Sequence, residues 1–161
     1  MRVRLVEAKD RSDWLRMRSS LWPDCPAERH IAEMDRIFAD LSAAPVFVAE
    51  DDAGKPCGFI EASLRTYAEG CVPGAPIGYI EGWYVEPEQR RVGVGAILVR
   101  MAEAWAILQG CQEMASDCLV DNSASYSAHL SMGYRETERL IHFRKSLQES
   151  KNTGRRSARK R

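Results

Sequence analysis

The chain opens on an alternation, Val3-Arg4-Leu5-Val6, whose short period predicts a first strand over residues 3–6. The period then lengthens. Trp14, Leu15, Met17 and Leu21 recur at helical spacing and predict a helix over residues 10–21, with Asp10 or Ser12 as its N-cap. Trp22-Pro23-Asp24-Cys25-Pro26 ends it, because proline lacks the N–H a helix needs and clashes with the preceding turn. Ile31, Met34, Ile37, Phe38 and Leu41 restart the helical spacing and predict a second helix over residues 27–41.

The middle of the chain reads as sheet. Residues 45–50 and 56–64 are strand-like runs on either side of a Gly-containing turn at 51–55, which predicts a hairpin. A Gly- and Pro-rich loop follows over residues 67–78, then another strand over 79–85. Val94, Leu98, Met101, Trp105 and Leu108 form one apolar stripe, so residues 94–108 make the strongest predicted helix, with Gly110 placed to stop it. A strand over 113–119, a short helix over 122–132 ended by Gly133, and one or two strands over 134–145 complete the pattern. No repeat of 20–50 residues appears. The order β-α-α-β-β-β-α-β-α-β predicts an α+β domain.

Composition narrows the class. With 161 residues, 45% of them hydrophobic and 29% charged, the chain holds one globular domain and its core. No apolar run approaches the roughly 18 residues of a membrane span. The first residues run directly into the strand pattern without a signal-peptide pattern, so a cytoplasmic location is expected. Cys25, Cys57, Cys71, Cys111 and Cys118 form no C-x-x-C pair and are expected as free thiols; no His or Cys lies at zinc-ligand spacing, so no metal is expected. The 23 basic and 23 acidic residues balance, but unevenly along the chain. Residues 148–161 carry six Lys or Arg against Glu149 alone, while residues 1–147 hold 17 basic and 22 acidic side chains. The division predicted is a folded domain over 1–147, whose acidic balance suits a cationic small molecule, and a basic, disordered tail over 148–161. That tail has no aromatic residue or helical period, so a specific nucleic-acid partner is not expected.

The chemistry concentrates where the 79–85 strand meets the strongest helix, in Val85-Glu86-Pro87-Glu88-Gln89-Arg90-Arg91-Val92-Gly93-Val94-Gly95-Ala96. A helix N-terminus has unpaired N–H groups and a partial positive charge, and glycines let a ligand come close to the backbone. Such a loop can cradle a pyrophosphate. The plainer alternative is a Gly-containing turn before an ordinary amphipathic helix. A P-loop is excluded, since no Gly-Lys-Ser/Thr follows, and a dinucleotide fingerprint lacks its third glycine.

The stretch Arg90 to Ala96 resembles the pyrophosphate loop of the GNAT superfamily of acetyl-CoA-dependent N-acetyltransferases, in which Gln or Arg is followed, after two residues, by Gly-x-Gly/Ala. Asn122, with Gly133-Tyr134 eleven residues later, matches a second motif of that family. The resemblance spans about residues 2–146. It implies a GNAT fold, a central mixed, mostly antiparallel sheet flanked by about four helices, and acetyl-CoA as co-substrate with no metal. It implies that Arg91, Val92, Gly93, Val94, Gly95 and Ala96 hold the pyrophosphate. Trp83, Tyr84 and Val85 would offer a strand edge to the pantetheine arm, and Asn122 would contact the cofactor nearby. A tyrosine that protonates the leaving thiolate in many members is replaced here by His129, with Tyr126 three residues earlier; His129, Tyr126 and solvent all stand as general acid, and His129 as a buried helix residue is the alternative.

Within the superfamily, Leu21-Trp22-Pro23, Glu81-Gly82, the segment from Glu113 to Asp117 and the segment from Gly133 to Arg139 are similar to aminoglycoside 6'-N-acetyltransferases. The resemblance implies transfer of the acetyl group directly to the 6'-amine of an aminoglycoside antibiotic, and a homodimer. An ammonium must lose a proton before it can attack a thioester, and a carboxylate can both bind it and take that proton. Glu81 interrupts an apolar strand and is the amine-binding carboxylate and general base on this reading; alternation puts it on one face with Trp83 and Val85. A solvent-exposed Glu81, or one paired with an arginine, is the alternative. Asp117 would be a second catalytic and substrate carboxylate, or else a turn residue. Glu138 would be a third, or a surface residue beside Arg139. Trp22 and Tyr67 would present flat faces to sugar rings and cations, with a core role competing for Trp22. Acetylation of another cationic amine, a polyamine or a peptide N-terminus, and a non-catalytic acyl-CoA-binding module are the competing functions.

Overall fold

The computed structural model describes residues 1–147; the predicted basic tail lies outside the described residues. Strand β1 (Arg2–Leu5) leads through a turn of 3-10 helix at Ala8–Asp10 into helix α1 (Arg11–Leu21). Helix α2 (Ala27–Ala39) follows, then the hairpin β2 (Val46–Glu50) and β3 (Pro56–Arg65), strand β4 (Ile77–Val85), helix α3 (Val94–Leu108), strand β5 (Glu113–Ser116) and helix α4 (Ser123–Ser131). The five strands form one sheet in the order β1-β2-β3-β4-β5, antiparallel except for the parallel β4–β5 pair.

The sheet is covered on both faces, which is why β2 and most of β3 are buried along their length. On one face Phe47, Ile60, Ala62 and Ile80 pack against Val94, Leu98, Val99 and Ala102 of α3. On the other, Val46, Val48 and Phe59 pack against Trp14 and Met17 of α1 and Met34 of α2. Each of these large side chains contributes about 1.5–3 kcal/mol by leaving water. The 94–108 helix is found as predicted.

The second helix differs in detail. His30 is fully buried beside Met34, while Ile31 is exposed, so the buried stripe of α2 starts one residue earlier than its apolar residues suggested. Asp10 lies at the start of α1 but caps no helical N–H; its carboxylate accepts from Arg4 at 2.6 and 2.9 Å and from the Glu7 N–H at 2.8 Å.

One predicted element is absent. Residues 134–147 form no strand. A strand exists by pairing with another, and none of β1–β5 pairs with this segment. Residues 136–139 close on themselves instead, with Arg139 donating to Glu136 at 2.5 and 3.0 Å. Leu140, Ile141, Phe143 and Leu147 are left exposed.

Candidate active site

β4 and β5 pair only from Ile77 opposite Glu113 to Ile80 opposite Ser116. Beyond that point they part, and among the described residues β4 continues against β3 alone. A cavity of about 250 Å³ lies where they separate. It is lined by Leu21 and Trp22 from the end of α1, by Ile80, Glu81, Gly82 and Trp83 of β4, by Ser116, Asp117, Cys118 and Leu119, and by Asn122, Ser125 and His129 around α4. Trp22, Glu81, Trp83, Asp117 and Asn122, scattered over a hundred residues of sequence, therefore meet in one place.

Glu81 owes its position to an irregularity. Glu61 pairs with Gly82 and Ala62 with Ile80, so Glu81 is the extra residue of a β-bulge. The bulge resets the alternation. Trp83 and Val85 pack with the α3 cluster, whereas the Glu81 carboxylate lies with Ser63 and Arg65, which stand opposite Tyr79 and Ile77. The expected shared face of Glu81, Trp83 and Val85 is thereby corrected. Oε1 of Glu81 accepts from Ser63 Oγ at 2.5 Å and Arg65 Nε at 3.1 Å, and Oε2 accepts from Arg65 Nη2 at 2.7 Å. The pairing with an arginine, one of the readings left open, is thus present, and the carboxylate still reaches the cavity wall.

Asp117 follows the last residue of β5 and accepts a 2.6 Å hydrogen bond from the Tyr79 hydroxyl. Burial, and then the Asp117 carboxylate, push the Tyr79 phenol well up, so Tyr79 remains a donor. The Arg65 guanidinium lies over the Tyr79 ring, 3.3 Å from its centre. One arginine thus joins the two candidate carboxylates, touching Glu81 directly and Asp117 through the tyrosine.

Trp22 serves the core and the cavity at once. Its ring stacks on His30 at 6.2 Å and on the Arg18 guanidinium at 4.8 Å, and its edge lies against Gly82. A Cβ at Gly82 would fall 2.4 Å from Trp22 Cη2, so a side chain there would displace the ring.

The loop before α3 fits a pyrophosphate. Arg91 and Gly93 both have left-handed backbone, φ 62° and 94°, and nothing lies within 4 Å of where a Gly93 side chain would begin. The Ile97 N–H bonds to the Gly93 carbonyl, so the N–H groups of Val94, Gly95 and Ala96 have no acceptor within the helix. Arg91 and Val92 are exposed at this open end. Gly95 has a different reason from the one expected. A Cβ there would meet the Trp83 ring at 2.8 Å, so its small size seats Trp83. Arg90 turns back to donate to the Val85 carbonyl at 2.8 Å. Tyr84 stacks on Phe59 on the opposite face from Trp83, so at residues 83–85 it is the backbone of β4 that borders the parting of the strands.

Asn122 caps α4, accepting from the Ser125 N–H at 3.0 Å. His129 lies two turns further, its ring edge-on to Trp83 and Tyr134, with Nε2 2.9 Å from Ser116 Oγ. Tyr126 is directed elsewhere, donating to Glu136 at 2.9 Å, and does not line the cavity. Tyr67 and Glu138 do not line it either. Tyr67 is exposed and donates to Glu69, which raises its phenol, with the Glu138 charge adding to that shift.

Arg65, Ser63, Tyr79 and Ser116 were not anticipated. The first three follow from register: once β3 and β4 are paired, residues 63 and 65 share a face with 79. Among the described residues no group of three or more His, Cys, Asp or Glu side chains is arranged to hold a metal.

Known proteins share both sequence and architecture with this chain. The acetyltransferase (GNAT) family matches residues 14–134. The aminoglycoside N(6')-acetyltransferase type 1 of Klebsiella aerogenes is 46% identical over 147 residues, spanning 90% of this chain and 96% of that protein. The corresponding protein of Stenotrophomonas maltophilia is 38% identical over 149 residues, 92% and 95% of the two chains. Among solved structures, the aminoglycoside 6'-N-acetyltransferase of Acinetobacter haemolyticus superposes with a TM-score of 0.83 at 34% identity, covering 92% of this chain and all of that one. AAC(6')-Iy, solved in complex with the bisubstrate analogue CoA-S-monomethyl-acetylneamine, gives 0.82 at 34% identity, covering 90% and 97%. With a family match over most of its described length and relatives of this closeness, the chain belongs to the GNAT acetyltransferase family.

Proposed function

We propose that the chain transfers the acetyl group of acetyl-CoA directly to the 6'-amine of an aminoglycoside. The observation that carries this reading is Glu81, set by a bulge at the wall of a cavity that Asp117 and Trp22 also line. A carboxylate has about four lone-pair sites, and Ser63 and Arg65 occupy three of those of Glu81. One remains on Oε2 for a substrate ammonium and then for its proton. The second carboxylate, and the net acidic balance of residues 1–147, suit a substrate with several ammonium groups. The relatives named above carry the aminoglycoside 6'-activity in their names.

Acetyl-CoA supplies an activated acetyl thioester. The open N–H groups of Val94, Gly95 and Ala96, with Arg91, would hold its pyrophosphate. The β4 edge at Trp83, Tyr84 and Val85 would pair with its pantetheine arm as an added strand, and a backbone N–H there would polarise the thioester carbonyl. Asn122, which lines the same cavity as Trp83, would contact the cofactor nearby. The test is thiol release from acetyl-CoA over a panel of aminoglycosides with and without a 6'-amine. Turnover confined to those bearing the amine is expected; turnover of polyamines or peptides alone would overturn the reading.

Residues 1–147 are proposed to be the catalytic unit, so deletion of 148–161 should leave turnover unchanged. A homodimer is proposed to cover the exposed Leu140, Ile141, Phe143 and Leu147. Light scattering of a Phe143→Asp variant checks this, with a monomer expected. A reducing cytoplasm accords with the five free cysteines.

A further inference from the structure

The geometry points to Arg65 as a positioning residue: its guanidinium, braced on the Tyr79 ring, sets the direction in which Glu81 meets the amine and, through that ring, the spacing of Glu81 from Asp117. The inference rests on the reading of Glu81 as the carboxylate that receives the amine, and not on which amine it is. The register of three strands builds the brace. Arg65 of β3 stands opposite Ile77, Ser63 stands opposite Tyr79, and Tyr79 in turn stands opposite Ala115 of β5. Arg65 is therefore a diagonal neighbour of Tyr79, within reach of a long side chain. Asp117 comes two residues after Ala115, on the far side of β4 from Arg65.

The ring is a firm support. Tyr79 is buried with Ala68 and Ile77, and Cys71 and Ala115 pack against them. Its hydroxyl is engaged by Asp117 at 2.6 Å, while the Arg65 guanidinium carbon lies 3.3 Å from its ring centre. Arg65 itself is partly exposed, so its pair with Glu81 adds little to stability. What the pair supplies is direction. Nε and Nη2 donate to the two Glu81 oxygens at 3.1 and 2.7 Å, and Ser63 Oγ adds a third donor at 2.5 Å. The carboxylate cannot turn without breaking one of these bonds, so its open lone pair on Oε2 keeps one orientation. Charge alone argues against an arginine here, because a guanidinium beside the carboxylate opposes the approach of an ammonium. Geometry argues for it. A lysine would carry the same charge as a point, without the fork that grips two oxygens or the flat face that lies on the ring.

The test is steady-state acetyl transfer by the full chain with an amine that the wild type turns over, with Tm measured alongside. Arg65→Gln frees the carboxylate to turn and removes the neighbouring cation. Its kcat should fall roughly 10²-fold, as a misplacement of about 1 Å can cost, while KM stays level or falls and Tm changes little. Arg65→Lys should not restore kcat. Tyr79→Phe keeps the ring but releases Asp117. Combined with Arg65→Gln, it should lose much less kcat/KM than the product of the two single losses, because either change alone already ends the fixed spacing. A lysine variant with wild-type kcat, a glutamine variant whose KM rises at unchanged kcat, or a double variant whose losses multiply would overturn the inference. Wild-type turnover of polyamines or peptides alone would reject the aminoglycoside reading, and the same comparisons on that amine would still decide the role of Arg65. An undiminished kcat in Glu81→Gln would reject the reading of Glu81 and this inference with it.

Discussion

Glu61 and Glu81 sit on neighbouring strands, each interrupting an apolar run and each held by an arginine, yet they occupy opposite situations. Glu61 is buried, and Arg18 donates to both of its oxygens at 2.6 Å while Trp14 Nε1 donates at 2.8 Å. Arg18 is itself engaged by Glu33 at 2.5 Å and His30 Nδ1 at 3.3 Å, and stacks on Trp22. Glu81, one residue along from the partner of Glu61, stands at the surface of the cavity with its arginine partly exposed. The contrast teaches that an ion pair has no role of its own. Where donors saturate a carboxylate away from water, it becomes scaffold; where a bulge leaves one lone pair towards open space, it can meet a substrate.

The largest effect is expected at Glu81. Glu81→Gln should lower kcat by roughly 10²–10⁴-fold with little change in Tm. A comparable loss in Glu61→Gln at unchanged stability would erase the distinction between the two carboxylates. Arg18→Met leaves Glu61 buried without its cation, and urea unfolding should show a loss of about 3–5 kcal/mol. Because Trp22 stacks on Arg18, substrate KM should rise in the same variant. Gly82→Ala presses on Trp22, and a stability loss of about 1–3 kcal/mol is expected by the same measurement.

Asp10 offers a second buried pair for comparison. Its carboxyl is held below the ordinary range, chiefly by its hydrogen bonds to Arg4. A lowered carboxyl stabilises the fold above its unfolded value, near 3.9, and that contribution fades as pH falls through the folded value. Urea midpoints measured from pH 6 to 2 should therefore fall less steeply in Asp10→Asn than in the wild type. Arg65→Gln should have the smallest effect on stability, within about 1 kcal/mol, since its pair with Glu81 is solvent-accessible. A loss as large as that of Arg18→Met would show that both pairs are scaffold.

Periodicity revealed the helices and the hairpin because their apolar residues face a core on a regular schedule. It overreached at 134–145, where alternation describes a strand but cannot supply a partner for it. At the site, Gly93 and Asn122 stood out in the sequence through the family motifs they match, and the structure gives Gly93 a left-handed backbone and makes Asn122 the cap of α4. The face of Glu81 was not legible, because a bulge inserts a residue without leaving a signature in the side chains. Arg65 and Ser116 escaped notice for another reason. Their importance arises from contacts with residues 16 and 13 positions away, which only the strand register and the return of α4 create.

The parting of β4 from β5 also bears on self-association. Unpaired strand edges are templates for other chains, and proteins ordinarily blunt them with charge, proline or a covering loop. Here the stretch of β4 left unpaired on that side among the described residues lies inside the sheet order, with β5 beside its first half, and not at an outer rim. A neighbouring molecule's broad sheet would have to pass β5 to reach it, while a slender extended chain would not. On the proposed function, that placement would let β4 receive a slender ligand while staying away from the outer edge of the sheet.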